Sequence, residues 1–400
     1  MISKCINDNY PVDECINLGS IPIVNNFNSK VQKTKYNLTM GLCRKCKLFQ
    51  IQKNINPSKL FSNYAHISSG SKSNLQHIKN VFNFINRQKK IKKTTRILEI
   101  GCNDGSLLNF FRKKTKKIVG IDPAKNLVKK ILNNYEELIP DFFNEKNGKY
   151  LLSKYKKFDV IVALNVIPHT VNVREIMNYV GKLLSDDGIF LMEGAYFFDT
   201  IYKGKFDTIY HEHVSSFTLF SLKNIFDQAK LKIHYAKQIP VQGGSLRVIA
   251  KKKSSSNQWK KIYKLELNKK VSKLNTYRKT GKLIKKISNS IKAKFNILTK
   301  GKTKAILLGA PARGVVINHV CGFDENKIIY AIDDSKTKHS KYFAGCAFKV
   351  FSWDKLKNTK YNNFVLLSWN YKTEIVKKLK KYRNSFKLLI PFPRPKLQKF

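Results

Sequence analysis

The chain has 400 residues, 42% of them hydrophobic, so it exceeds one ordinary core and predicts two or three domains. No apolar run reaches a membrane-spanning length, Met1-Ile-Ser-Lys-Cys5 does not begin a signal peptide, and seven cysteines are too few and odd in number for a disulfide scaffold, which excludes a membrane protein and predicts a reducing, cytoplasmic setting. The net charge of +51 invites a nucleic-acid reading, but only ten of the 77 basic residues are Arg and the lysines scatter over helix faces, which suits a solvated surface and an AT-rich genome rather than a specific nucleic-acid partner.

In chain order, residues 1 to about 60 read as a short cysteine-bearing module. Cys43-Arg-Lys-Cys46 is a Cys-x-x-Cys knuckle with Cys5 and Cys15 upstream. Two such thiolate pairs make a tetrahedral zinc site in a module too small for its own core. The first pair is incomplete, because Cys5 is followed at the knuckle spacing by Asp8. The set is taken as Cys5, Cys15, Cys43 and Cys46, with Asp8 or no residue as the alternatives for the fourth place. The segment Asn63–Ser71, with Tyr64, is polar and aromatic and is expected to face a site or to form an ordinary turn.

Residues 61–250 alternate strands and helices, which predicts a doubly wound α/β sheet. Helical patterns fall near 74–90, 105–114, 124–134, 172–185 and 221–230. The strand Arg96–Ile100 carries Glu99 and runs into a tight loop with Gly101 and Gly105. Glycine there lets the backbone turn and a ligand approach closely. The spacing Glu-x-Gly-x-x-x-Gly is not the dinucleotide fingerprint, so no pyrophosphate need lie on the helix start. It looks like the first motif of class I methyltransferases that use S-adenosylmethionine (SAM). The next strand, Lys117–Asp122, ends in an acid 21 residues after Gly101, where a carboxylate can accept ribose hydroxyls. A third strand, Phe158–Leu164, runs into Asn165. His169 follows at the strand's carboxyl end, the edge where open α/β sheets bind ligands.

After a strand at Gly188–Glu193 comes Tyr210-His-Glu-His213, with two imidazoles, a phenol and a carboxylate in four residues. An imidazole near neutrality can remove a proton from a weak carbon acid, and a neighbouring Glu can orient it. Metal binding and a solvated turn are the alternatives. Strands at Leu231–Ala236 and Ser245–Ala250 close the sheet, and Gln242–Arg247 sets a double glycine beside Arg247. Residues 251–300 read as one or two connecting helices. A second Rossmann-like unit begins at Thr303–Leu308, continues through the loop Gly309–Gly314 with Arg313 to a strand at Ile328–Asp334, and has a later strand at Asn363–Leu367. A helix start beside a glycine loop suits a phosphate.

Taken in order, these motifs resemble the sugar C-methyltransferases that act on nucleotide-linked 4-keto-deoxyhexoses. The resemblance covers nearly the whole chain. It implies an α/β protein with a zinc-binding N-terminal domain (1–60), a class I methyltransferase domain (61–250), a helical connector (251–300) and a Rossmann-like C-terminal domain (301–400). It implies a base that removes the proton alpha to the ketone, after which the enolate takes the methyl group of SAM. His213 would be the base, Tyr210 and Glu212 would position it or the substrate, and Tyr64 and His169 would hold the keto or enolate oxygen. Glu99, Gly101, Asn103, Gly105, Asp122 and Asn165 would surround the methyl donor. The nucleotide diphosphate would lie near Arg247, Arg313, Lys341 and Tyr342. The chain departs from the family pattern at Asp8, at His66 and at Arg313, where a Lys is commoner. An oxygen or nitrogen methyltransferase on the same scaffold is the competing reading.

Overall fold

The computed structural model describes residues 3–52, 55–56, 60, 67–131 and 135–400; Tyr64 and His66 lie outside them. The N-terminal segment is more than a knuckle. Strands Val12–Ile21, Tyr36–Cys43 and Phe49–Ile51 form an antiparallel sheet, and Ser215–Ser216 adds to its edge by pairing with Gln50 and Phe49. Val12, Ile16 and Ile21 are buried along the first strand, and Leu38, Met40 and Leu42 along the second. Part of this apolar surface continues into the helix Leu274–Leu298 and the C-terminal sheet as one core.

The central sheet has seven strands in the spatial order Lys232–Ile239, Ser245–Lys251, Leu184–Ala195, Phe158–Leu164, Ile97–Ile100, Ile118–Ile121 and Glu137–Ile139. Ser245–Lys251 runs antiparallel to both neighbours, and the other neighbouring pairs are parallel. Ile97, Leu98, Glu99 and Ile100 are all buried, because both faces are covered by helices. On one face lies Lys72–Gln88, capped by the Ser71 hydroxyl accepting from the Asn74 N–H at 3.2 Å. The strand order reverses at Ile97–Ile100, so the loop after it lies at a topological switch point.

Two expectations change. Of the helix expected over 124–134, the described residues show a single turn, Lys125–Val128, and 132–134 lie outside them. The strand Glu137–Ile139 and the helix Glu145–Tyr155 were not expected; the first is three residues long, too short to show a period. The second carries Gly148, where a Cβ would lie 2.4 Å from the Tyr179 ring, so its glycine serves packing. The stretch expected to hold one or two connecting helices has two, Lys260–Asn268 and Leu274–Leu298. The longer one buries Tyr277, Thr280, Ile284, Ser288, Ile291, Phe295 and Leu298, a helical stripe facing the core it shares with both flanking units.

The C-terminal sheet runs Val350–Phe351, Ile328–Ile332, Ala305–Leu308, Asn363–Leu366, Lys387–Ile390 and Lys396–Lys399, with only the last pair antiparallel. Among the described residues no helix is long and apolar enough to cross a membrane.

Candidate active site

The glycine loop sits at the switch point. Gly101 has φ +75°, and a Cβ there would lie 2.2 Å from Val166 Cγ2 in the loop after Phe158–Leu164. Asn103 and Asn165 also adopt left-handed backbone, with φ 52° and 55°. Asp122 fastens the loop: its Oδ2 accepts the Asn103 N–H at 2.9 Å and its Oδ1 the Ala124 N–H at 2.8 Å. Burial raises its pKa despite these bonds. Glu99 is fully enclosed, its Oε2 has no hydrogen-bond partner among the described residues, and burial followed by the nearby charges of Asp122 and Asp104 raises its pKa. An orphaned buried carboxylate beside a second acid is a fitting environment for a cationic ligand. SAM, which carries an ammonium and a sulfonium, fits this donor set, and Glu99 and Asp122 would hold it. Gly101→Ala is expected to lower affinity for S-adenosylhomocysteine (SAH) at least tenfold in titration calorimetry, because the side chain strains the loop and collides with Val166.

The loop connects to the histidines. His169 lies three residues beyond Val166, and its Nδ1–H donates to the Glu212 carbonyl at 2.8 Å. The rings of His169 and His213 lie 4.8 Å apart, edge to face. His213 Nδ1 faces the Thr208 carbonyl at 2.7 Å, and a carbonyl can only accept, so Nδ1 carries the hydrogen. Nε2 is therefore the basic nitrogen, and the Tyr210 hydroxyl donates to it at 2.8 Å. Burial, then the neighbouring His169, holds the His213 pKa well below the usual value, which keeps it neutral and able to accept a proton.

Glu212 does not touch the His213 ring nitrogens. Both its oxygens accept from Asn25 Nδ2, at 2.8 and 2.9 Å. Burial pushes its pKa up to about 7. His211 is buried against the edge of Tyr36 rather than pointing at the other two histidines. The fold favours protonated Glu212, so its contribution to stability is present below about pH 4.5 and is lost as pH rises through about 7. The loss is expected to reach about 3 kcal/mol. Buried neutral His211 and His213 act in the opposite sense and only below about pH 6.5. Denaturant titrations of the native chain and Glu212→Gln between pH 5 and 8 isolate the carboxyl as the difference between the two curves.

The cysteine module gathers Cys5, Asp8, Cys43 and Cys46, with ligand atoms all within 4.8 Å of one another. Cys15 is not in the group: its thiol faces the Met40 carbonyl at 3.8 Å. Its assignment as fourth ligand is corrected to Asp8, because the turn after Cys5 places the Asp8 carboxylate 3.2 Å from Cys43 Sγ. Backbone N–H groups of Asn7 and Lys45 point at Cys5 and Cys43 sulfurs at 3.4 and 3.3 Å, as thiolate ligands require.

Of the residues expected to hold a diphosphate, Arg313 is already committed. Its Nε and Nη2 donate to the two oxygens of buried Asp207, each at 2.9 Å, and Nη1 donates to the Gln242 carbonyl. Its guanidinium lies over the Trp369 ring at 5.1 Å, and the indole N–H donates to the same Asp207 at 2.7 Å. Tyr342 meets the N-terminal segment, its N–H bonded to the Asn28 carbonyl at 2.8 Å, while the Lys341 N–H donates to the Lys338 carbonyl at 3.2 Å. Sequence reasoning missed Asn25, Asp207, His77 and Glu193. Only Glu193, an acid closing a strand at the carboxyl edge, carried a signal.

The strand order, the glycine loop and its acids define the scaffold of a SAM-dependent methyltransferase. Family models agree: a methyltransferase domain matches residues 73–236 and a C-methyltransferase C-terminal domain matches residues 240–393. The chain is 26% identical to C-methyltransferase NovU of Streptomyces niveus over 97% of each chain. A ubiquinone biosynthesis O-methyltransferase of Azorhizobium caulinodans is 29% identical over 25% of this chain and 40% of its own. The solved magnesium protoporphyrin IX methyltransferase of Synechocystis with bound SAM shares 13% identity at a TM-score of 0.33, over 44% of this chain and 78% of that one. Together the two family models and the full-length relative support a SAM-dependent C-methyltransferase.

Proposed function

We propose that the protein methylates the carbon alpha to the ketone of a nucleotide-linked 4-keto-deoxysugar. The observation that carries this reading is the neutral His213 imidazole, with its basic Nε2 facing a phenol, joined to the cofactor loop through His169 and Val166. A neutral imidazole whose Nδ1–H is held by the Thr208 carbonyl presents an unprotonated Nε2 that can accept a proton. Transfer to an oxygen or nitrogen does not require a carbon-acid base.

When bound, SAM supplies an electrophilic methyl group. The chain's own residues do the rest. His213 takes the proton from C3 of the sugar, and the proton ends on Nε2. Tyr210 donates at that nitrogen in the resting state and hands its place to the substrate. His169 and Tyr64 hold the oxygen on which enolate charge develops; donors fixed in place before charge forms stabilise it most. The division of labour follows residues 1–60, 61–250, 251–300 and 301–400, the first holding zinc through Cys5, Asp8, Cys43 and Cys46. Lys341 and Tyr342 would act from the seam between the first and last of these. Seven free thiols suit a reducing, cytoplasmic compartment.

The test is C3–H exchange of a nucleotide-linked 4-keto-6-deoxyhexose in deuterated water without SAM, followed by NMR. Exchange supports the carbon-acid reading. No exchange across a panel of such sugars, with SAH still bound, favours an oxygen or nitrogen acceptor. Zinc has its own check. Stripping with a chelator is expected to release about one equivalent of metal per chain and to lower the melting temperature, and zinc readdition should restore it.

A further inference from the structure

Arg247 stands apart from the other paired arginines of the molecule's interior. It lies across the ladder from Glu193, which is across from Leu164, the residue before Asn165. This row is at the carboxyl edge of the sheet. Glu193 and Arg247 share a sheet face with Glu99, two positions further toward the edge than the row of Glu99, Val162, Leu191 and Ile249. Arg247 is 91% buried, since only 9% of its surface is exposed.

Its bonding pattern is unlike that of Arg313. Glu193 Oε1 takes only the side-on Nε of Arg247, while Glu193 Oε2 accepts from His77 Nε2 at 2.7 Å. The Phe84 ring packs on the guanidinium face at 4.8 Å. Neither Nη atom forms a hydrogen bond among the described residues, and neither is fully enclosed. A structural ion pair uses the forked end, as Arg313 does on Asp207. Here the plane is fixed by an acid on one side and an aromatic ring beneath, and the fork is left unpaired. That is a preorganised donor for two oxygens of an anion.

We propose that Arg247, locked by Glu193 and Phe84, anchors an oxyanion at the substrate edge of the central sheet. His77 acts through Glu193 as a positioning residue. Two sources present that chemistry: the diphosphate of a nucleotide-linked substrate, which rests on the function proposed above, and the carboxylate of SAM, which does not. Arg313, with its Nε–Nη2 fork spent on Asp207, is replaced by Arg247 as the anion-binding arginine.

The experiment measures binding of UDP, TDP and SAH by calorimetry to the full-length protein, to Arg247→Lys, and to the double variant Glu193→Gln/Arg247→Gln. The double variant removes both charges together, so no buried carboxylate is left unpaired, and its melting curve reports folding. The expected result is diphosphate binding at least tenfold weaker in both variants with SAH unchanged. Weaker SAH with diphosphate unchanged supports the anchor and assigns it to the SAM carboxylate. Unchanged affinity for all three ligands in folded variants overturns the anchor. A native protein that binds SAH but neither nucleotide overturns the nucleotide-linked reading, and the SAH comparison alone then decides the anchor.

Discussion

His213→Asn is expected to reduce kcat by about a thousandfold, within the range for loss of a general base, while SAH affinity stays within twofold. Asparagine keeps a donor toward the Thr208 carbonyl, so the turn at 208–213 should persist. It has no basic nitrogen for Tyr210 to face, and the C3–H exchange should vanish with turnover. A variant that retained exchange would assign the base elsewhere, with Tyr210 the next group to test. A variant that lost SAH binding as well would mean that the histidine supports the cofactor loop through His169 instead of the proton transfer.

Arg313→Ala is expected to destabilise the native protein by about 3–5 kcal/mol. Asp207 has no exposed surface, and the guanidinium supplies two of its three hydrogen bonds. Removing the cation leaves a buried carboxylate with one indole donor, which costs far more than the pair contributes when intact. Arg313→Lys should fall between the two, since an ammonium cannot form the paired bonds. Asp207→Asn combined with Arg313→Ala should recover part of the loss by removing the orphaned charge. Urea unfolding followed by tryptophan fluorescence is a direct measurement, because Trp369 stacks on this guanidinium. If Arg313→Ala instead left stability intact and weakened nucleotide binding, the ion pair would be a resting arrangement opened by substrate.

The methyltransferase core was legible because its signals are local. Buried strands read as apolar runs, a left-handed turn selects Gly101, and an acid must close the next strand at Asp122. The strand Phe158–Leu164 agrees residue for residue with its expectation. Tyr210–His213 was visible as a dense run of titratable groups, but the roles inside it were not. Alternation of side chains along a turn sends His211 under Tyr36, Glu212 toward Asn25 and His213 toward Thr208. None of those partners is near in sequence except Thr208. The Cys-x-x-Cys spacing named Cys43 and Cys46, while the choice of Asp8 over Cys15 depended on the turn after Cys5.

The sequence alone determined the main strands and the glycine loop of the central sheet, the use of SAM as cofactor, and which residues are chemically able to act as a base. These follow from backbone geometry and side-chain chemistry within a few residues of one another. Only the tertiary structure decided which arginine has its forked donors unpaired, which acid completes the cysteine cluster, and that the helix Leu274–Leu298 is part of the core. Those outcomes depend on pairings between segments more than thirty residues apart, or on which face meets a neighbour, and a hydrogen-bond donor spent on one partner is lost to every other.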